Sequence, residues 1–371
     1  MRVNRYFLFL SIALLFCAST LFAQKTHIRI FATAIGNDSG AFMGGSSMGS
    51  GLYQSDDTGQ TWKHLGWENL KTFSMDMVQS SNGRILYVAT GLGVLRSTDF
   101  GEHWKVITDW RISEVMDIAV NQKNPQEIYI ATAHGPWRTR DGGITWKLLL
   151  SGLEVPYCSC VVIDSAFSNH VLLGAESGLF QLGFDSSWVE IPCYPIDDKN
   201  KNEVRITKVR SIQQQSAEFW QVASESNHIM LSRDSARSFI ELELGSPSLW
   251  SVGGASGIFH SNTGPVNWNV ILSGSANGLR LETSQYDVLE SERDESVRNV
   301  SACYVGPIQS SLAKYVSIVG TLGSGLFVRD NRALEKHSTS SHSRSEKVNL
   351  FGKQKLPGRQ IRAIKSFLVS E

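Results

Sequence analysis

Gly93-Val94-Leu95-Arg96-Ser97-Thr98-Asp99-Phe100-Gly101-Glu102-His103-Trp104 holds a strand, a turn and the start of a second strand in one short segment. Val94 and Leu95 favour extended backbone, Gly101 can take positive φ without a Cβ penalty, and Asp99 can cap turn amides with its carboxylate. Ser97 offers a hydroxyl to the same loop, and Trp104 can bury its ring against the next hairpin while its N–H finds an acceptor. The template G-x-aromatic/aliphatic-x-[ST]-x-D-x-G-x-x-W recurs on both sides. Gly51 to Trp62 carries Ser55, Asp57 and Gly59, and Gly135 to Trp146 carries Thr139, Asp141 and Gly143. The Trp residues at 62, 104 and 146 are spaced by 42 both times. A fixed period of this size is the signature of a repeat architecture.

Two further short β-branched runs precede each hairpin. In the second unit they are Met75 to Val78 and Ile85 to Thr90, and in the third Met116 to Val120 and Ile128 to Thr132, each bounded by Asn, Pro or Gly. Four strands in about 42 residues is one blade of a β-propeller. Later copies are degenerate. Gly178-Leu179-Phe180 with Trp188 has a turn that has lost residues, and Ser232-Arg233-Asp234-Ser235-Ala236-Arg237-Ser238-Phe239 has Ala236 for Gly and Phe239 for Trp. Ile258 to Ser261 reads as a first strand and Val270 to Ser273 as a second, which places third strands near 52, 94, 136, 179, 229, 279 and 326. The expectation is an all-β chain, a seven-bladed β-propeller over residues 24–330. A ring needs a closing strand to protect its edges, and Ala333 to His337 and Lys347 to Phe351 are the two candidates.

The hairpin resembles the Asp-box, or BNR repeat, of sialidases, sortilin-type receptors, xyloglucan-degrading hydrolases and photosystem II assembly factors. That resemblance implies an architectural box on the outside of the propeller, between the third and fourth strands of a blade. It gives Ser55, Asp57, Gly59 and Trp62, Ser97, Asp99, Gly101 and Trp104, Thr139, Asp141, Gly143 and Trp146, and Ser232, Asp234 and Phe239 structural roles.

The amino terminus reads as an export signal over residues 1–23. Arg2 and Arg5 precede an apolar run from Tyr6 to Phe16, and cleavage is expected after Ala23. No later run has 18 consecutive apolar residues, so no span is expected in the mature chain, which would be periplasmic or extracellular. Cys158, Cys160, Cys193 and Cys303 remain after cleavage; too scattered for a disulfide framework, they read as buried free thiols. With regular pairing, Cys158 and Cys160 would share one face of a strand. C-x-C spacing without a second close pair is not a zinc site.

Asp198, Asn200 and Asn202 imitate the start of a calcium loop, but Glu203 and Val209 stand where Gly and Glu are needed, so 196–203 reads as a surface loop. The segment 284–298 reads as a polar excursion between blades. From 331 to 371 the chain carries 9 Lys and Arg against 3 Asp and Glu, while the body is acidic. Ser338 to Ser345 is a Ser/His run. Ile361, Ile364, Phe367 and Leu368 recur at helical spacing, as a short amphipathic segment expected to dock on the acidic body, an anionic partner or a membrane surface.

No Walker or metal-helix motif occurs, and no cofactor is implied. The sialidase relatives carry an Arg-Ile-Pro motif that is absent here; the nearest string is Arg205-Ile206-Thr207. The xyloglucan hydrolases place two acids between tandem propellers, whereas this chain has length for one ring. The photosystem II factors are single-ring binding proteins. A non-enzymatic scaffold that binds protein or peptide at one end of the ring is therefore expected. A glycan partner is the alternative, with Trp67, Trp110, Trp137 or Trp250 as stacking platforms. An acidic body repels phosphate, which argues against nucleic acid.

Overall fold

The computed structural model describes residues 26–36, 50–67, 70–80, 83–193, 206–214, 218, 220–224, 229–241, 251–260, 267–275, 279–285, 288–294, 300–307, 314–321, 326–332 and 359–370. The expected export signal 1–23, the loop 196–203, the Ser/His run and both candidate closing strands lie outside the described residues.

The described chain is all β, with seven antiparallel sheets. Sheet I contains β1 (Thr26–Gly36), β2 (Gly51–Ser55) and β3 (Lys63–His64). Sheet II is β4 (Thr72–Ser80), β5 (Gly83–Thr90), β6 (Gly93–Ser97) and β7 (Lys105–Val106). Sheet III is β8 (Val115–Val120), β9 (Ile128–Thr132), β10 (Trp137–Thr139) and β11 (Lys147–Leu148). Sheet IV is β12 (Cys158–Ile163), β13 (Val171–Ala175), β14 (Gly178–Leu182) and β15 (Trp188–Glu190). Sheet V is β16 (Val209–Gln214), β17 (Trp220–Ser224), β18 (Ile229–Ser232) and β19 (Ile240–Glu241). Sheet VI is β20 (Ser251–His260), β21 (Asn267–Ser275), β22 (Leu279–Gln285) and β23 (Val288–Asp294). Sheet VII is β24 (Val300–Pro307), β25 (Lys314–Thr321) and β26 (Leu326–Arg332). The third strands start at 51, 93, 137, 178, 229, 279 and 326, beside the positions read from the repeat.

The last strand, β27 (Arg359–Ser370), pairs antiparallel with β1 from Thr26↔Ser370 to Gly36↔Arg359 and so becomes the first strand of sheet I. The helical reading of Ile361 to Leu368 is thereby corrected. β27 touches β24 on one side and β4 on the other, and the first strands meet in succession from β4 through β8, β12, β16, β20 and β24. The circuit closes with strands from both ends of the chain. The segment 284–298 is corrected too, because Val288–Asp294 is the fourth strand of sheet VI, paired with β22.

The cores lie between sheets. Tyr129 and Ala131 of sheet III pack with Val161, Leu173, Phe180 and Trp188 of sheet IV, and Cys160, Leu172 and Leu179 of sheet IV pack with Val209, Trp220 and Met230 of sheet V. β9 and β13 are buried at every residue because neighbouring sheets cover both faces, so they read as continuous apolar runs rather than alternations.

All seven first strands carry a register shift near their start. It falls between Thr72 and Ser74, Val115 and Asp117, Cys158 and Cys160, Val209 and Ser211, Ser251 and Gly253, and Val300 and Ala302. In β27 it falls between the partners of Thr33 and Ala34. A bulge inserts one unpaired residue and reverses the facing of the residues beyond it. Cys158 therefore enters the core between sheets III and IV and Cys160 the core between IV and V. The shared face expected from regular pairing does not form. Cys158, Cys160 and Cys193 are buried and free. Burial pushes the thiols of Cys158 and Cys193 up to about 12, so they are not nucleophiles at neutral pH.

Candidate functional site

Strand alternation gives the ring two ends. One carries the turns between third and fourth strands, where the repeated Ser/Thr-x-Asp hairpins, the boxes of the sequence reading, lie, together with the connections from first to second strands. The other carries the turns between second and third strands and the crossings from one sheet to the next.

At the box end each carboxylate is spent on its own turn. Ser55 Oγ donates to Asp57 Oδ1 at 2.8 Å and accepts from the Gly59 amide at 2.8 Å, while Asp57 accepts from the Thr61 amide and hydroxyl at 2.8 and 2.6 Å. Ser97 and Asp99 repeat this with Gly101 and with the His103 amide, and His103 Nδ1 lies 2.7 Å from Asp99 Oδ2. Thr139 and Asp141 repeat it with Gly143 and Thr145. Ser232 and Asp234 do so with Ala236 and Ser238, so the turn of sheet V closes the same way although Ala236 takes φ 62° where the other boxes have glycine. Trp62 and Trp104 donate Nε1 to Gly59 and Gly101 within their own turns, whereas Trp146 and Trp188 donate to Ile107 and Leu149 of the preceding sheet. Phe239, which has no such donor, is half-buried against the core between sheets IV and V. The boxes stay one to a sheet and do not converge.

Donors aimed at an ionised carboxylate lower its pKa. The Thr145 hydroxyl and amide, then Thr139, hold Asp141 at about 2, and Ser238, then Ser232, hold Asp234 at about 2. Their contribution to stability is complete above the unfolded carboxylate range, near pH 4, and is lost as the pH falls through about 2. Removing the donor in Thr145→Val is expected to move the Asp141 midpoint upward, read by carboxyl carbon NMR titration. An unmoved midpoint would show that the hydroxyl does not set it.

Aspartates that the repeat did not single out join the first strands of adjoining sheets. Asp76 accepts from the amides of Met77 and, one sheet over, Val120, both at 2.8 Å. Asp117 accepts from Ile118 at 2.9 Å, from Val161 of sheet IV at 3.0 Å and from the Ser74 hydroxyl of sheet II at 2.6 Å. Asp164 has no side-chain exposure; burial raises its pKa, but His170, Gln214 and the amides of Ala166 and Phe167 outweigh that and lower it. An isolated Asp in a strand gives no sequence signal of a cross-sheet partner.

At the opposite end a series of backbone bonds ties the loops together. The Gly91 amide donates to Lys71 O, Glu114 to Gly91 O and Ala133 to Glu114 O; further round, Glu176 donates to Tyr157 O and Lys208 to Glu176 O. Glu114 and Lys208 take φ 50° and 52° to do so. On this rail stand the exposed apolar side chains Trp110 (90% exposed), Leu92 (74%) and Trp67 (38%), on adjoining loops of sheets I to III. Leu92 was missed by sequence reasoning, although an apolar residue between Gly91 and Gly93 in a tight turn has no core to enter. Trp137 is partly buried against the core between sheets II and III, and Trp250 lies outside the described residues. Two carboxylates at this end have basic neighbours: Glu114 lies 3.9 Å from the His134 ring, and Glu176 lies 2.9 Å from Arg210 and 3.9 Å from Lys208. The Arg210 guanidinium also sits over the Tyr157 ring.

No family model and no curated protein matches the sequence. Among solved structures, an ancestral GH74 enzyme aligns with a TM-score of 0.51 at 16% identity over 70% of this chain and 36% of its own. The GH74 xyloglucanase from Xanthomonas campestris aligns at 0.50 and 14% over 72% of this chain and 44% of its own. The chain thus spans less than half the length of either enzyme. YCF48 bound to D1 peptide aligns at 0.50 and 14% over 78% of this chain and 86% of its own. At these identities the likeness is one of fold, and with the seven antiparallel sheets it makes this chain an all-β protein of the propeller kind.

Proposed function

We propose that this chain is an exported, seven-bladed Asp-box propeller that acts as a non-enzymatic scaffold and binds a protein or peptide through its loop end. The observation that carries the reading is the exposure of Trp110, Leu92 and Trp67 on loops held rigid by the backbone rail. Large apolar groups gathered outside the core mark interaction surfaces, and aromatic anchors with few rotatable bonds lose little entropy on binding. The similar fold of YCF48, a protein known bound to D1 peptide, supports a peptide or protein partner. The GH74 neighbours favour the glycan reading. Against it, Glu176 is engaged by the Arg210 guanidinium and so is poorly placed as a member of an acid pair for glycoside hydrolysis. The export segment argues for a periplasmic or extracellular site of action.

The test is crosslinking capture from the envelope of the exporting cell, with the mature chain beside the double variant Leu92→Ser/Trp110→Ser. Capture of one protein by the wild type, reduced at least about tenfold by the double variant, is expected for anchor residues. Retention of the chain on a polysaccharide array, with no protein captured, would overturn the proposal.

A further inference from the structure

We propose a second binding site, on the box end, that takes an acidic peptide segment carrying an apolar side chain. It lies where the repeat breaks. Sheet IV runs Leu182-Gly183-Phe184-Asp185-Ser186-Ser187-Trp188, with Leu182 in place of the box Ser or Thr and one residue fewer before the Trp than in Ser97 to Trp104. Its turn closes differently, through the Gly183 amide to Ser187 O at 2.7 Å and the Ser187 amide to Asp185 Oδ1 at 3.0 Å. A cleft of about 770 Å³ opens at this shortened turn, between the Tyr129 and Arg138 pair of sheet III and the box of sheet V. Departures from a repeat's local rule are expected at functional positions.

The charges there are unbalanced. Arg138, only 8% exposed, is the cross-strand partner of Tyr129 and makes no ion pair among the described residues. Arg140 and Arg237 stand exposed on the same cleft. Its lining carboxylate, Glu127, already accepts from Tyr129 at 3.2 Å and from Asn121 at 2.9 Å, with Arg140 Nε at 3.5 Å. Three guanidiniums thus face one engaged carboxylate. A buried guanidinium without a counter-ion is costly, and its planar fork matches a carboxylate. Phe184, wholly exposed, and Phe167 stand on the cleft as apolar contacts. A neutral sugar would leave the surplus charge uncompensated, whereas carboxylates beside an apolar side chain meet both features.

The test is fluorescence anisotropy of a labelled Glu-Glu-Phe-Glu-Glu peptide titrated with the full chain at low and high salt. Arg140→Glu and Arg237→Glu are surface changes, and thermal unfolding verifies that each variant keeps its fold. Saturable, salt-sensitive binding is expected, weakened about tenfold or more by each charge reversal and unchanged by Trp110→Ser, which separates this site from the loop end. Absence of saturable binding, indifference to both reversals, or binding of a sulfated heparin oligosaccharide in place of the peptide would overturn the proposal.

Discussion

Truncation before Arg359 is expected to abolish monomeric folding. β27 pairs along the whole of β1 and touches both β24 and β4, so its loss opens the ring between sheets VII and I. β1 would then present an unpaired edge, and the core between sheets I and II, which includes Phe31, Leu52 and Met75, would lose its cover on the inner side. Net stability of a domain is about 5 to 15 kcal/mol, and removing an entire strand with its packing consumes a sum of that size. Size-exclusion chromatography and thermal circular dichroism are expected to show aggregation or strand-exchanged oligomers without a cooperative transition. A synthetic peptide of residues 359–371 added during refolding is expected to restore the monomer. A truncated monomer that melts cooperatively at the wild-type temperature would contradict the closure.

Asp117→Ala is expected to cost about 3 kcal/mol, because one carboxylate serves three donors on sheets II, III and IV. The side chain of Ala cannot take any of these bonds, and the Val161 amide is left without its acceptor. Asp117→Asn keeps one carbonyl oxygen but sets an NH₂ against a donor, so roughly half the loss is expected. Urea unfolding measures both. A double-mutant cycle with Ser74→Ala is expected to give a coupling of about 1 kcal/mol for the hydroxyl bond. Additive losses would mean that Ser74 and Asp117 do not act together across the sheets.

The hairpin chemistry was legible because it is local. A Ser or Thr two residues before Asp, a glycine two after it and an aromatic restart are near in sequence and near in space, so the third strands of all seven sheets could be placed from the period. Ring closure was not legible, because it joins residues more than 300 positions apart. The bulge made it harder still. With Arg362 unpaired, positions 361 and 364 fall on the same side of β27, and that three-residue step imitates a helix. The same device separated Cys158 from Cys160. Asp117 was hidden for a related reason, since its partners come from three sheets and the Met-Asp pair that recurs at Met75-Asp76 and Met116-Asp117 names none of them. The shortened box at Leu182 to Trp188 was visible in the sequence as a lost residue; only the placement of Arg138, Arg140 and Arg237 around it shows that a cleft results.

Site-specific photocrosslinking in the cell that makes the chain tests the central claim most directly. A benzoylphenylalanine would replace Trp110 at the loop end and, separately, Phe100, a 38% exposed aromatic residue in the turn of sheet II, which does not line the cleft at sheet IV. Binding through the loop end predicts one discrete crosslinked protein from position 110 and none from position 100. Equal crosslinking at both positions, or a discrete product from position 100 alone, would contradict it.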